Sequence, residues 1–181
     1  MGTVYLARHI KLKKTVALKL LPEDRLNRTQ SVEPFAREMQ AVGLLEHPNV
    51  VRALDAGEVD GTYFLAMELV EGADLAQLTS NGDCLRIADA CEVVRQAALG
   101  LQYAHDQGLI HRDVKPANLM LTLSATRLPV VKVMDLGLAL LTELESESPL
   151  TDQGQLMGTL EYMAPEQATE EKVDQRADIY A

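Results

Sequence analysis

The chain has few cysteines, and their placement excludes several classes of protein. Cys84 and Cys91 are the only two among 181 residues, and neither has the CxxC or histidine spacing of redox and metal sites. Two cysteines also exclude a disulfide-stapled miniprotein. Because Cys91 falls on the apolar stripe of a predicted helix, we expect a buried structural thiol in a reducing compartment, and a cytoplasmic location.

Long apolar runs and a surplus of positive charge are also missing. The longest apolar cluster, around 136–141, is far shorter than a membrane span, so we expect no membrane segment in this chain. The net charge is −10, and residues 66–181 hold 8 basic against 19 acidic side chains. Such a surface repels phosphate backbones, so we expect no nucleic-acid partner.

The composition is that of a packed globular protein, with 47% hydrophobic and 24% charged residues. Alternating apolar residues predict strands at 3–8 and 15–21, and two more near 50–58 and 63–69 around an Asp-Gly turn. A helix is predicted from about 34 to 46, with proline in its first turn. The first part of the chain therefore predicts a small sheet with one helix.

Helical periodicity opens the second part of the chain. A long amphipathic helix is predicted from Arg86 to Asp106, stopped by Gly108. Short strands are predicted near 119–123 and 130–134. The residues expected on the buried stripe of the long helix are Ile87, Cys91, Val94, Ala98, Leu101 and His105.

A polar segment just past this helix carries the residues with the most chemical meaning. Lys115 and Asn118 follow Asp113 at spacings of two and five, and Asp135 comes seventeen residues after Asn118. Carboxylate and amide oxygens are ligands for a hard cation such as Mg²⁺. The pattern therefore predicts a cation site that leaves room for phosphate ligands.

Four segments of the chain resemble motifs of the eukaryotic-type protein kinase family. Residues 111–118 resemble the catalytic loop, with valine in place of leucine after the aspartate, and residues 16–19 resemble the lysine strand. Residues 158–166 look like the end of the activation segment, and 178–181 like the opening of the helix that follows. The resemblance is to the serine/threonine kinases of bacterial Hanks type.

The resemblance implies an α+β, two-lobed fold, with a small β-rich lobe and an incomplete helical large lobe. Residues 1–70 would form the small lobe without its first strand. Residues 71–181 would form the front half of the large lobe, ending at the start of the central helix. We therefore expect a partial kinase domain, truncated at both ends. Leu136 replaces the phenylalanine most familiar after the metal-binding aspartate, which keeps that position apolar.

The resemblance also implies roles at the reacting phosphate. Asp113 would accept the proton of the substrate hydroxyl, Lys115 would steady the transferred phosphoryl group, and Thr159 would bond the base. Asn118 and Asp135 would bind Mg²⁺. His111 is expected to be a packing and hydrogen-bonding residue rather than an acid or base.

A second set of residues would hold ATP. Lys19 would grip the α- and β-phosphates while paired to Glu38. Asp74 would reach the ribose hydroxyls or, alternatively, cap a helix. The remaining residues that the resemblance assigns to the nucleotide are Gly2, Val4, Ala17, Met67, Glu68, Val70 and Met120.

The implied function is ATP- and Mg²⁺-dependent transfer of the γ-phosphoryl group to serine or threonine hydroxyls of proteins, the branch indicated by Lys115 and Thr159. The alternatives are a non-catalytic, pseudokinase-like binding module and a small-molecule phosphotransferase of the same fold. Arg112 indicates control by phosphorylation of the activation segment. The candidate phosphosites, in order, are Thr151, then Ser146, Ser148 and Thr142. The alternative for the acidic run at Glu143, Glu145 and Glu147 is a solvated loop without a specific role.

Overall fold

The computed structural model describes residues 3–11, 13–21, 39–80, 82, 84–136, 161–169 and 173–181. Its first part is a four-stranded antiparallel sheet in the order β1-β2-β4-β3. The strands are β1 (Val4–His9), β2 (Lys14–Leu21), β3 (Ala53–Val59) and β4 (Thr62–Glu68). All four predicted strands are therefore present, with bounds shifted by a few residues.

The turn between β3 and β4 has the backbone that its sequence predicts. Asp60 and Gly61 have φ angles of 49° and 78°, both in the left-handed region. Two residues with positive φ form the tight hairpin connection that matches the twist of the flanking strands, and Asp-Gly is a preferred pair for it. This turn fixes the pairing of Val59 with Thr62.

Only part of the helix predicted at 34–46 can be compared. Residues 39–43 are helical, and the helix ends there, three residues before the predicted end. Leu44 N and Leu45 N close the end by donating to carbonyls three residues back, each at 3.1 Å. Residues 34–38 lie outside the described part of the chain.

The second part contains a three-stranded antiparallel sheet and the long helix. Strands β5 (Gly72–Asp74), β6 (Leu119–Leu123) and β7 (Pro129–Val133) pair in that order. The helices are α1 (Leu75–Thr79), α2 (Ile87–Asp106), α3 (Pro165–Ala168) and α4 (Arg176–Tyr180), with a 3₁₀ turn at Pro116–Asn118. None of the helices in the described ranges is long and apolar enough to cross a membrane.

The buried face of α2 agrees with the predicted one at Leu101 but differs from it at other positions. Ile87 and Val94 are 84% and 66% exposed, and Cys91 is exposed as well. The residues that α2 buries are Val93, Gln96, Ala97, Gly100, Leu101 and Ala104. Small side chains let the helix approach its neighbours closely, but they contribute little to an apolar pattern, so the larger residues misled the prediction. The expectation of a buried Cys91 thiol is therefore wrong.

Replacing Gly100 by alanine is expected to lower the free energy of unfolding by about 1–3 kcal/mol, the usual cost of overpacking. The added Cβ would lie 2.6 Å from the backbone oxygen of Asn49. Chemical denaturation of the full-length protein would measure the loss. The control is Gly43→Ala, whose Cβ meets nothing within 4 Å and which should be neutral or stabilising. Equal stability of the two variants would contradict the close packing.

A hydrogen-bonded joint connects the two parts of the chain. Val51 N donates to Val133 O at 2.9 Å, and Val133 N donates to Asn49 O at 2.8 Å. The buried Asn49 amide also donates to Gln96 Oε1 at 3.0 Å and to Val131 O at 2.8 Å. The segment 49–51 is thereby fixed against β7 and α2.

One hydrophobic core runs across this joint. Its members come from 39–45, from the 49–51 segment, from β4, from α2 and the loop after it, and from the residues around β7. They are Met39, Val42, Leu45, Val50, Leu65, Met67, Leu101, Ala104, Leu109, Val133 and Leu136. The joint and the core together determine where the candidate site residues of the two sheets lie.

Candidate active site

The loop after α2 brings together three residues that the sequence singled out. Gly108, with φ of 77°, ends the helix, and the 3₁₀ turn at Pro116–Asn118 leads into β6. Within this loop the ammonium of Lys115 lies 2.8 Å from the Asp113 carboxylate. Asn118 Nδ2 donates to Asp113 O at 2.7 Å and to Asp113 Oδ2 at 3.0 Å. Asp113 is thus held by a cation and an amide.

Asn118 also lies close to the strand that leads to Asp135. Met134 N donates to Asn118 O at 2.9 Å, so the residue before Asp135 is bonded to Asn118. Because Asn118 Nδ2 donates to Asp113, its amide oxygen is the group that can ligate a cation. An amide oxygen and a carboxylate are the hard donors that Mg²⁺ takes, so this pair fits the ion. The described residues contain no larger cluster of histidine, cysteine and acidic side chains that could hold a metal.

Lys19 joins the first sheet to this group. Its ammonium forms an ion pair with Asp135 Oδ2 at 2.8 Å, and the lysine is buried. The structure therefore places the lysine of β2 beside the second candidate metal ligand. The pairing of Lys19 with Glu38 cannot be compared, because Glu38 lies outside the described residues, as do Gly2 and Thr159.

The backbone at two of these positions is unusual. Arg112 has φ of 63° and Asp135 has φ of 59°, in the left-handed region that glycine adopts most easily. Among the described residues, three other non-glycine positions have positive φ, but they lie at turns between strands: Lys13, Asp60 and Arg127. Arg112 and Asp135 are instead next to Asp113 and within the site itself.

The catalytic-loop segment is supported from beneath by buried polar groups. His111 has no exposed surface, and its Nε2 donates to Met134 O at 2.8 Å. The Asp178 carboxylate accepts from His111 N at 2.8 Å and from Arg112 N at 2.6 Å. His105 Nε2 lies 2.7 Å from the same carboxylate. The packing role predicted for His111 agrees with this geometry.

The residues assigned to the nucleotide fall into two groups. In the first sheet Val4 is opposite Lys19, and Ala17 is opposite Met67. In the second sheet Asp74 is opposite Met120, and Val70 lies in the linker between the two sheets. Of the adenine-contacting candidates, Met67 is buried, Ala17 and Met120 are half-buried and Val4 is exposed.

The two alternatives for Asp74 can now be compared. Asp74 Oδ1 accepts a hydrogen bond from Gln77 N at 2.8 Å, which makes Asp74 the N-cap of α1. The helix-cap alternative is therefore realised. The ribose contact stays a prediction.

The protein kinase domain family model matches this chain over residues 1–181. The chain belongs to the protein kinase family. The kinase chain is 42% identical to serine/threonine-protein kinase pkn3 of Myxococcus xanthus over 183 residues, and 37% identical to PknB of Mycobacterium leprae over 185. Each alignment covers all of this chain, but only 34% and 29% of those relatives. The kinase chain thus spans about a third or less of the length of these relatives.

A solved structure confirms the predicted fold class of this kinase. The crystal structure of the Mycobacterium tuberculosis PknI kinase domain superimposes with a TM-score of 0.75 at 31% sequence identity. The match covers 98% of this chain and 64% of that one. The α+β, two-lobed kinase fold is therefore the fold of this chain.

The sequence pattern does not identify two residues that support the kinase loop. It places Asp178 only at the opening of a following helix, and it gives no role to Gln167. Gln167 Nε2 donates to Arg112 O at 2.7 Å, and its Oε1 accepts from Ala164 N at 3.0 Å. Gln167 lies outside the quoted motifs, and the 178–181 motif does not by itself show this role of Asp178, because both residues act on a loop more than 50 residues earlier in the chain.

Proposed function

We propose that this protein transfers the γ-phosphoryl group of ATP to serine or threonine hydroxyls of protein substrates, with Mg²⁺ as the cofactor. The observation that carries the proposal is the arrangement around Asp113. Its carboxylate is held by Lys115 and Asn118, while Asn118 is bonded to the residue before Asp135. Phosphoryl transfer depends on positioning and on charge stabilisation, and this arrangement provides both.

Each residue has a part in the proposed reaction. Asp113 accepts the proton of the substrate hydroxyl as that oxygen attacks phosphorus. Asn118 and Asp135 would hold Mg²⁺, which neutralises phosphate charge when bound. Lys19 places a positive charge beside Asp135, where the triphosphate would bind. The buried stem of Lys115 fixes its ammonium at the Asp113 carboxylate, next to the transferred group.

The substrate class rests on Lys115 and on the named relatives. A lysine two residues after the proposed base is typical of the serine/threonine branch, and the relatives named above are serine/threonine-protein kinases. Thr159, the second residue that indicates this branch, lies outside the described part. Protein substrates are therefore proposed, rather than small molecules.

Location and domain boundary are further parts of the proposal. Cys84 and Cys91 are free thiols, which suits a reducing compartment such as the cytoplasm. We place the small lobe at 1–70 and the large lobe at 71–181, with the boundary in the linker 69–71 between β4 and β5.

The proposal is tested by incubating the full-length protein with γ-labelled ATP, Mg²⁺ and a general protein substrate. We expect label on serine and threonine in phosphoamino-acid analysis. Removing Mg²⁺ with EDTA should abolish incorporation, and added Mg²⁺ should restore it, because the ligands here are hard oxygen donors. Label on a small molecule alone, or none at all with Mg²⁺ present, would refute the proposed function.

A further inference from the structure

An ion pair connects the two sheets beside the linker 69–71. Lys132 belongs to β7, and Glu68 is the last residue of β4. The Lys132 ammonium lies 2.6 Å from Glu68 Oε1, and the two side chains are 18% and 32% exposed. The pair therefore joins, through space, two strands that belong to different sheets.

The same two side chains also contact the backbone of residues 50–52. Glu68 Oε1 accepts a hydrogen bond from Arg52 N at 2.9 Å. The Lys132 ammonium is 3.4 Å from Val50 O. We call Lys132, Glu68 and the backbone of 50–52 the interlobe clasp. It lies between the covalent linker and the hydrogen-bonded joint of 49–51 with β7.

The other ionisable side chains of the cleft do not compete for the Lys132–Glu68 pair. His47 lines the same cleft as Lys132 and Glu68. Burial, and secondly the Lys132 charge, lower the pKa of His47, which favours its neutral ring. The other charged side chains of this cleft, Glu46 and Arg52, pair with each other at 2.6 Å. Lys132 is therefore the cation that Glu68 binds through its side chain.

The two side chains of the clasp belong to segments that lead to the proposed nucleotide site. The resemblance to protein kinases assigns the backbone of Glu68 to the adenine edge, and Lys132 lies three residues before Asp135 on the same strand and its extension. Holding Glu68 to Lys132 thus fixes the adenine-contacting backbone relative to the candidate metal ligand. A site whose two halves are already fixed loses less conformational entropy when its ligand binds, so it binds that ligand more tightly.

We propose that Lys132 is a positioning residue for ATP, acting through the side chain of Glu68. This inference rests on the proposed kinase function. It concerns nucleotide affinity rather than the chemical step, because Lys132 and Glu68 pair with each other, whereas Asp113 is held by Lys115 and Asn118. A surface ion pair would contribute little, but this pair is mostly buried and shares its acceptor with a backbone N–H.

The test uses full-length variants, with the Kd of Mg²⁺ and the nonhydrolysable analogue AMP-PNP measured beside KM for ATP and kcat. We expect Lys132→Met and Glu68→Gln each to raise Kd and KM about fivefold and to change kcat less than about twofold. The double variant should be no worse than either single one, since the two residues act as one unit. Lys132→Arg, which keeps the charge, should restore wild-type affinity.

The matched control is Glu46→Gln. It breaks an ion pair of the same length in the same cleft without touching the Glu68 side chain, so nucleotide affinity should stay at the wild-type value. Lys132→Met with unchanged Kd and KM, or with the same loss as Glu46→Gln, would overturn the positioning role. A wild-type protein that binds no AMP-PNP would instead refute the proposed function, and this inference with it.

Discussion

Asp113→Asn is expected to lower kcat for protein phosphorylation by about 10²- to 10⁴-fold, the usual contribution of a general base. The amide has nearly the same shape as the carboxylate, but it cannot take the proton from the substrate hydroxyl. It also carries no charge to hold the Lys115 ammonium, which lies 2.8 Å away. Initial rates with saturating ATP and a serine-containing protein substrate would measure the loss.

The control for this variant is Asp55→Asn, which removes an exposed carboxylate from β3 in the first sheet. Its kcat should equal that of the wild-type protein. Because Lys19, Asn118 and Asp135, the residues assigned to the phosphates and Mg²⁺, are unchanged in both variants, AMP-PNP should bind to both alike. Wild-type kcat in Asp113→Asn would exclude a role for this carboxylate in proton transfer.

Asp178→Ala is expected to lower the free energy of unfolding by about 2–6 kcal/mol, because two backbone N–H groups lose their acceptor at about 1–3 kcal/mol each. The Asp178 side chain has no exposed surface and accepts the backbone N–H groups of His111 and Arg112. Without it both donors stay buried and unpaired, and each such group is costly. Thermal and chemical unfolding of the full-length protein would measure the change.

The comparison for Asp178 is Asp106→Asn. Asp106 is an exposed residue at the end of α2 that accepts from the Gln102 amide, and its replacement should change stability by less than about 0.5 kcal/mol. Similar stability losses in the two variants would mean that Asp178 does not hold the loop. Where Asp178→Ala still folds, its kcat should fall as well, because His111 and Arg112 directly precede Asp113.

The parts of the fold that depend on local sequence could be predicted. The hairpin of β3 and β4 follows from alternation around Asp60-Gly61, and the end of α2 follows from Gly108. The face of α2 could not be predicted in the same way. It is selected by how closely Gly100 and Ala104 approach the rest of the core, which is a property of the packed chain rather than of the helix alone.

The candidate site also has one part that follows from local sequence and another that depends on packing. Asp113, Lys115 and Asn118 lie in one short loop, so their spacing in sequence already places them together. Asp178 contacts His111 across 67 residues of chain, and only the packing of α4 beneath the loop produces that contact. The pairing of Lys19 with Asp135 likewise depends on how the two sheets meet.

The left-handed backbone at Arg112 and Asp135 has a consequence for the evolution of this domain. A non-glycine residue in this conformation costs about 1–2 kcal/mol, which glycine would largely avoid. At Asp135 the ion pair with the buried Lys19 outweighs this cost, so selection for thermal robustness alone would favour glycine only at Arg112. Libraries screened only for heat resistance should therefore enrich glycine at position 112 and retain aspartate at position 135.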